Sequence, residues 1–384
     1  MDLLRVRVYN VRFGDAILVS VPDRVRPGKT ETRHILIDVG NVLGGEGGVD
    51  ALFRPVVQNI CDVLAGRPLD FYVMTHEHID HVQGLPYAAE KLGLKLDVQY
   101  AWLTASAAED YYERHPEAKK RRLELLREYE AIASFLQAAP ERETSAIHAL
   151  MANNNPRDTS QCVAYLRKLA AKTSYVYRGC ELAGTHPFRE ARLQVWAPEE
   201  DTASYYGILQ PTALGVSPGE GASARLTLAE PLPPSGVDAG AFYNLVEMRR
   251  RGCGDNLLAI DKAANNTSVV FCLEWRGWRL LFPGDAELRS WRMMDRQGML
   301  QPVHFLKISH HGSYNGTPAA ELLNKILPKR SRSRKSRRAV LSTYKDTYYG
   351  VPDAETLALL SGRCTLQSVE NLPDGGYLDI EFEG

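Results

Sequence analysis

Apolar and polar positions alternate from the start of the chain. Leu4–Tyr9 interleaves apolar with basic residues, Ala16–Val21 is rich in β-formers, and His34–Asp38 closes at Gly40. This alternation predicts short strands, with turns at Gly14-Asp15 and over Pro22–Lys29. The period then changes. Leu52–Leu64 repeats at helical spacing with Pro55 tolerable in its first turn, and Phe71-Tyr72-Val73-Met74 is a compact apolar run of strand type. Ala105–Ala139 is dominated by Ala, Glu, Lys, Arg and Leu, which predicts charged helix with Pro116 as a start or break. A second helix is predicted over Gln161–Thr173, with strands near Ser174–Arg178 and Arg192–Trp196, and the Pro, Gly, Ser and Ala content of Glu199–Gly240 predicts a long loop or lid. From Thr267, TSVVFCLEW, RGW and RLLFPGD read as strand, turn and strand, a hairpin that delivers Asp285 at its end. Helix 286–296, strand 303–308, helix 318–326, strand 339–343, helix 353–361 and a hairpin around Pro373–Gly376 complete the pattern. The alternation predicts an α/β protein, a single domain over 1–384 carrying a helical and loop insertion at about 104–260.

Composition narrows the class without choosing a function. With 44% hydrophobic and 9% aromatic residues, the 384-residue chain is that of a packed globular protein. Lys+Arg at 46 against Asp+Glu at 47 removes any global field for nucleic acid or anionic membrane, so electrostatic specificity has to be local. The six cysteines are scattered with no CxxC spacing, which reads as reduced thiols, and no uncharged apolar run reaches about 18 residues. A cytoplasmic protein without membrane contact is the expectation.

The chemistry is concentrated in two histidine motifs and one aspartate. His76-Glu77-His78-Ile79-Asp80-His81 places three imidazoles and two carboxylates directly after an apolar strand, a spacing that lets one loop feed two adjacent metal ions. His76 and His78 would hold the first ion, and Asp80 and His81 would turn to the second. Asp285 ends the strand of Phe-Pro-Gly-Asp, where one carboxylate can bridge two cations. His310-His311 follows the strand 303–308, so one imidazole can ligate while the other polarises substrate or moves a proton. Spacing leaves the choice open; the working assignment gives the metal to His310 and, with Asp80, the catalytic role to His311. The remaining five of the ten histidines show no ligand spacing.

HEHIDH, with ILIDVG upstream and FPGD and HHGS downstream, resembles the metallo-β-lactamase superfamily, and within it the hydrolase domain of the DNA-uptake protein ComEC and its soluble relatives. Asn10–Leu18, Ile35–Gly40, Asn265–Val270, Leu281–Asp285 and Leu306–Ser313 carry the resemblance, which spans about two thirds of the chain and leaves about 104–260 largely outside. It implies an αββα sandwich, a centre of two divalent ions (zinc, or manganese), Gly14 and Asp15 shaping a turn, and Asp38 as a buried carboxylate that orients a ligand. Asn265, Asn266 and Ser268 stand where many members have a histidine ligand, and Val351 stands where ComEC-like chains often have His.

The resemblance implies a metal-activated water and a phosphodiester substrate, nucleic acid included. One local feature agrees: residues 329–338 carry seven positive charges in ten positions, with Arg332, Arg334, Arg337 and Arg338 as candidate phosphate contacts. The same segment also reads as a solvated loop. Two rival functions stand beside this one: a small-ester or lactone hydrolase with a closed pocket, and a non-catalytic, metal-stabilised interaction module whose partners the sequence does not name.

Overall fold

The computed structural model describes residues 2–43, 48–138, 145–210, 254–329, 335–345, 347, 348 and 350–384. Its strands are β1 (Leu3–Tyr9), β2 (Ala16–Arg26), β3 (Lys29–Val39), β4 (Leu69–Met74), β5 (Val98–Thr104), β6 (Ala170–Val176), β7 (Arg192–Ala197), β8 (Val270–Trp275), β9 (Trp278–Phe282), β10 (Phe305–Lys307), β11 (Arg338–Leu341), β12 (Thr365–Ser368) and β13 (Tyr377–Glu383). They form two mixed sheets, ordered β13-β1-β2-β3-β4-β5-β6 and β12-β11-β10-β9-β8-β7. In each, an antiparallel part passes into a parallel run: β3 to β6 in the first sheet, β9 to β12 in the second.

The period-2 pattern decides which side chains meet. In β4, Phe71 and Val73 point to a core shared with Phe271, Leu273 and Trp275 of β8, so the two sheets face each other there. Tyr72 and Met74 point the other way, against Phe53, Val56 and Ile60 of the helix Gly48–Leu64 and Val163 and Leu166 of the helix Pro156–Leu166. Val270, Cys272 and Leu281 likewise turn to Trp291, Met294 and Leu323 of the helices Leu288–Arg296 and Ala320–Ile326. The helix Gly48–Leu64 shows why the spacing was readable: Leu52, Phe53, Val56, Val57, Ile60 and Leu64 are all buried, one face in contact with the sheet.

Four expectations change. The turn assigned to Pro22–Lys29 shrinks to a few residues around Gly28, because Asp23 is fully buried and accepts hydrogen bonds from the Arg189 and Glu190 amides and from Arg33, which ties this stretch into the sheet. The hairpin around Pro373–Gly376 is a crossover: Gly375 N donates to Asn10 O and Asn10 N to Gly376 O, and β13 then pairs with β1 in the other sheet. The helix predicted to reach Thr173 stops at Leu166, and Ala170 already pairs with Val98. Finally, the stretch 104–260 is not one insertion of helix and loop, since β6 and β7 within it are edge strands, one in each sheet. Between β5 and β6 lie the helices Pro116–Ala138, Ser145–Asn153 and Pro156–Leu166. The lid assigned to Glu199–Gly240 lies outside the described residues from position 211 onward.

The described cysteines are all free thiols. Among the described residues, no helix is long and apolar enough to cross a membrane.

Candidate metal centre

The carboxyl ends of parallel strands in both sheets converge on one place. Residues 76–81 follow β4, Asp38 lies at the end of β3, Asp285 follows β9, and His310-His311 follows β10. Close backbone contact fixes the first loop: a Cβ on Gly40 would lie 2.2 Å from Asp80 C and 2.3 Å from His81 N, so a side chain there would displace the metal-motif loop. Asp15 N donates to Asp80 O (3.1 Å) and Asp15 O accepts from Gly40 N (3.0 Å), joining the three segments. Beneath them Lys307 of β10, 1% exposed, holds Asp15 at 2.8 Å and so links the second sheet to the loops of the first.

The polar groups are buried and their lone pairs can be assigned from their partners. Asp38, in the left-handed region at φ 50°, accepts from Thr75 N (2.8 Å) and Thr75 Oγ1 (2.6 Å) and lies 2.8 Å from His81 Nδ1. That contact places the His81 proton on Nδ1 and leaves Nε2, which has no hydrogen-bond partner, facing Asp80 and Asp285. His311 is arranged in the same way: Nδ1 lies 3.1 Å from the carbonyl of Ser342, and Nε2 is 3.2 Å from Asp80 Oδ2 and 3.4 Å from Asp285 Oδ2. Asp80, His81, Asp285 and His311 are a group whose ligand atoms lie close enough together to hold a metal ion.

His76, His78 and Asp80 form a second such group. Thr75 Oγ1 gives its proton to Asp38 and therefore accepts from His76 Nδ1 (3.1 Å), which leaves His76 Nε2 as a lone pair. On His78, Nε2 is 3.0 Å from Asn154 Oδ1, an oxygen fixed as acceptor because Asn154 Nδ2 donates to Leu150 O and Asp261 Oδ1. His78 Nδ1 is then also a lone pair, and it stands 3.0 Å from His76 Nε2. Two imidazole lone pairs face each other in a buried place, an arrangement that calls for a cation or for a proton on one of them. With the unpartnered Asp80 Oδ1 and His81 Nε2, these residues fit a metal ion.

Burial disfavours the charged form of every group here, and the electrostatics of the cluster run against it. His81 and His311 hold the Asp285 carboxyl well below its ordinary value in spite of its burial. Asp285 and Asp80 raise His81 well above the usual imidazole range and lift His311 to about 9. His76 goes the other way, pushed well below its ordinary value by burial and by His81 and His78.

His310 is not in the cluster. Both histidines have positive φ, 46° and 52°, inside a tight 3-10 turn, and this sends the two rings apart. His310 turns to Asn265 (3.3 Å), Ser313 (2.9 Å) and Glu287 (3.6 Å), and its side chain is 18% exposed. His311 thus faces the group formed with Asp80, His81 and Asp285, whereas His310 borders a cavity of about 250 Å³ together with Asp80, Tyr348 and Val351. Asp38, fully buried, holds His81 through Nδ1.

Sequence reasoning missed Asp261, Glu287 and the Asn153-Asn154 pair. Asp261, Glu287 and His310 form a third group able to hold a cation, with Asn265 Nδ2 donating to both carboxylates at 3.0 Å. Asn153 Oδ1 accepts from Asp80 N (3.1 Å). None of these carried a ligand spacing; the one available sign was an acid two residues beyond Asp285.

The described part of the basic segment stands elsewhere. Arg332 and Arg334 lie outside the described residues. Arg337 donates to Pro328 O, and Arg338, in β11, donates to Glu381 O (3.1 Å). Both precede or begin β11, whereas Ser342 at the centre follows its other end.

No protein-family model matches this chain, and no curated protein matches it.

Proposed function

We propose that this protein is a metal-dependent hydrolase of the metallo-β-lactamase type, with a centre for two divalent ions, and that its substrates are phosphodiesters. The observation that carries the reading is the pair of facing lone pairs on His76 Nε2 and His78 Nδ1, next to the buried group Asp80, His81, Asp285 and His311. Helices outside, two facing sheets inside and a site at the carboxyl ends of parallel strands agree with the αββα sandwich that the resemblance implies. When bound, two divalent ions would lower the pKa of a water towards about 7 and polarise the electrophile.

The chain's own residues divide the remaining work. His76 and His78 would hold one ion, His81 and His311 the other, with Asp80 and Asp285 within reach of both groups. Asp38 and the Ser342 carbonyl keep His81 and His311 in the tautomer that presents Nε2. His310, open to the cavity and backed by Glu287, is placed to hand a proton to a departing oxygen. Phe13, whose ring is 4.1 Å from that of His311, and Tyr348 line the same cavity as apolar walls.

A second reading has one observation in its favour. Arg337 and Arg338 are at the far end of β11, so these two lend no support to a polymer, which favours a small ester or lactone. The test is turnover by the purified chain, loaded with Mn²⁺ or Zn²⁺, on single- and double-stranded DNA, RNA, a small phosphodiester and a lactone, beside Asp80→Ala. Phosphodiester cleavage lost in Asp80→Ala supports the reading. Cleavage of the lactone alone replaces it with the second, and turnover unchanged in Asp80→Ala sinks both.

A further inference from the structure

Beside the His76 and His78 half of the centre lies a cavity of about 100 Å³ that the mechanism does not use. Most of its wall comes from the segment between β5 and β6 and from the helix over 254–265, largely outside the resemblance, while Glu77 and His78 close it on the side of the first histidine motif. Tyr112, Tyr129 and Tyr206 give it aromatic sides, with the Tyr112 and Tyr206 hydroxyls 3.4 Å apart. Arg122 lies with its guanidinium 4.5 Å above the Tyr112 ring, which holds it flat and in place. Beside it is Glu77, 4.0 Å from Arg122 and fixed by a hydrogen bond from Ser106 Oγ (3.1 Å). His78 lines the same cavity, so whatever fills it is next to the metal motif.

The wall chemistry selects the occupant. A second anion would meet Glu77, and a simple cation would meet Arg122, so neither is the natural guest. A flat, neutral ring with a donor and an acceptor on one edge answers both: Arg122 offers donors, Glu77 offers acceptors, and Tyr129 and Tyr206 offer aromatic walls. The size admits no more than one ring: at about 100 Å³ the cavity is smaller than the apolar cavity of about 150 Å³ that takes a benzene molecule, so the ring would enter only in part. We propose that this cavity is a base pocket, which takes the heterocyclic ring of a nucleotide, a single-ring base by its size, while the attached phosphodiester lies at the centre. The proposal rests on the phosphodiester reading and makes it specific: the pocket would choose which nucleotide flanks the cleaved bond.

Base recognition can be separated from phosphate recognition by titrating the full chain with uridine 5′-monophosphate and with ribose 5-phosphate, which lacks the base. The nucleotide should bind about tenfold or more tightly, the gain expected of a stacked base. In Arg122→Ala and Tyr206→Ala that difference should shrink towards nothing with metal content unchanged, and an unfolding midpoint near wild type would show the fold intact. Equal binding of the two ligands by the wild type, or a full difference retained in both variants, overturns the pocket. The two readings fail separately. Phosphodiester cleavage without base-dependent binding removes the pocket alone, and base-dependent binding without cleavage of any phosphodiester removes the enzymatic reading alone.

Discussion

The strands β10 and β11 carry charge at both of their ends, and the two ends are built in opposite ways. At the carboxyl end, His311, Asp80, His81 and Asp285 are buried, and Asp80 Oδ1 and His81 Nε2 have no hydrogen-bond partner. At the amino end, cations are met one by one by neutral groups: Lys335 donates to Arg276 O (3.0 Å) and lies 4.2 Å from the Trp278 ring, Arg338 donates to Glu381 O, and Arg337 to Pro328 O. Arg338 and Ser342 are four positions apart, roughly 13 Å of extended chain at about 3.3 Å per residue. Among the described residues, the cations at the amino end each find a partner, whereas the cluster at the carboxyl end keeps buried polar atoms without one.

The sharpest way to break this contrast is at the carboxyl end itself. His311→Ala should lose metal and activity together, whereas His310→Ala should keep its metal and slow turnover by about 10²–10⁴-fold, the range for a lost proton-transfer group. Elemental analysis beside turnover rates decides it, and the opposite pattern would restore the assignment made from sequence. Next in size is the ion pair under the site. Lys307→Met leaves Asp15 charged, buried and unpaired, which should cost about 3–5 kcal/mol of folding stability, read as a fall in the denaturation midpoint. An unchanged midpoint would mean that Asp15 is not held by this lysine.

How much of this was legible follows from what each feature depends on. HEHIDH and the strand before it were readable because the residues are contiguous and the apolar run is unmistakable. Asp285 was readable from the hairpin that delivers it. The roles of His310 and His311 were not, since they depend on backbone dihedrals in a turn that apolar periodicity does not report. Asp261, Asn154 and Glu287 come from helix and loop positions far apart in the chain and meet only after folding. The tail misled for a related reason: Pro373–Gly376 has turn composition, but Ile380 and Phe382 find their apolar partners in the shared core, so the strand crosses to β1.

Two smaller effects sharpen the amino end. Replacing Arg337 and Arg338 with Ser should change turnover on a small substrate by less than about twofold, surface changes away from a site being nearly neutral; a large loss would place this end in the mechanism after all. His304, at this end, is depressed to about 4 by burial and by Lys335, Arg279 and Arg337. A folded value below the unfolded one means that its contribution to stability is complete above about 6.5 and is lost as pH falls through that window towards about 4. Lys335→Met should move the His304 titration upward by NMR, and no movement would show that Lys335 does not contribute to it.

The central claim is that the buried cluster is a metal centre, and its most direct test is metal stoichiometry. The purified chain, reconstituted with zinc, desalted and measured by elemental analysis, should retain about two ions per chain, as a two-metal hydrolase requires, and Asp285→Asn should retain markedly fewer. A wild-type chain that keeps no metal, or an Asp285→Asn chain that keeps as much as wild type, would contradict the account.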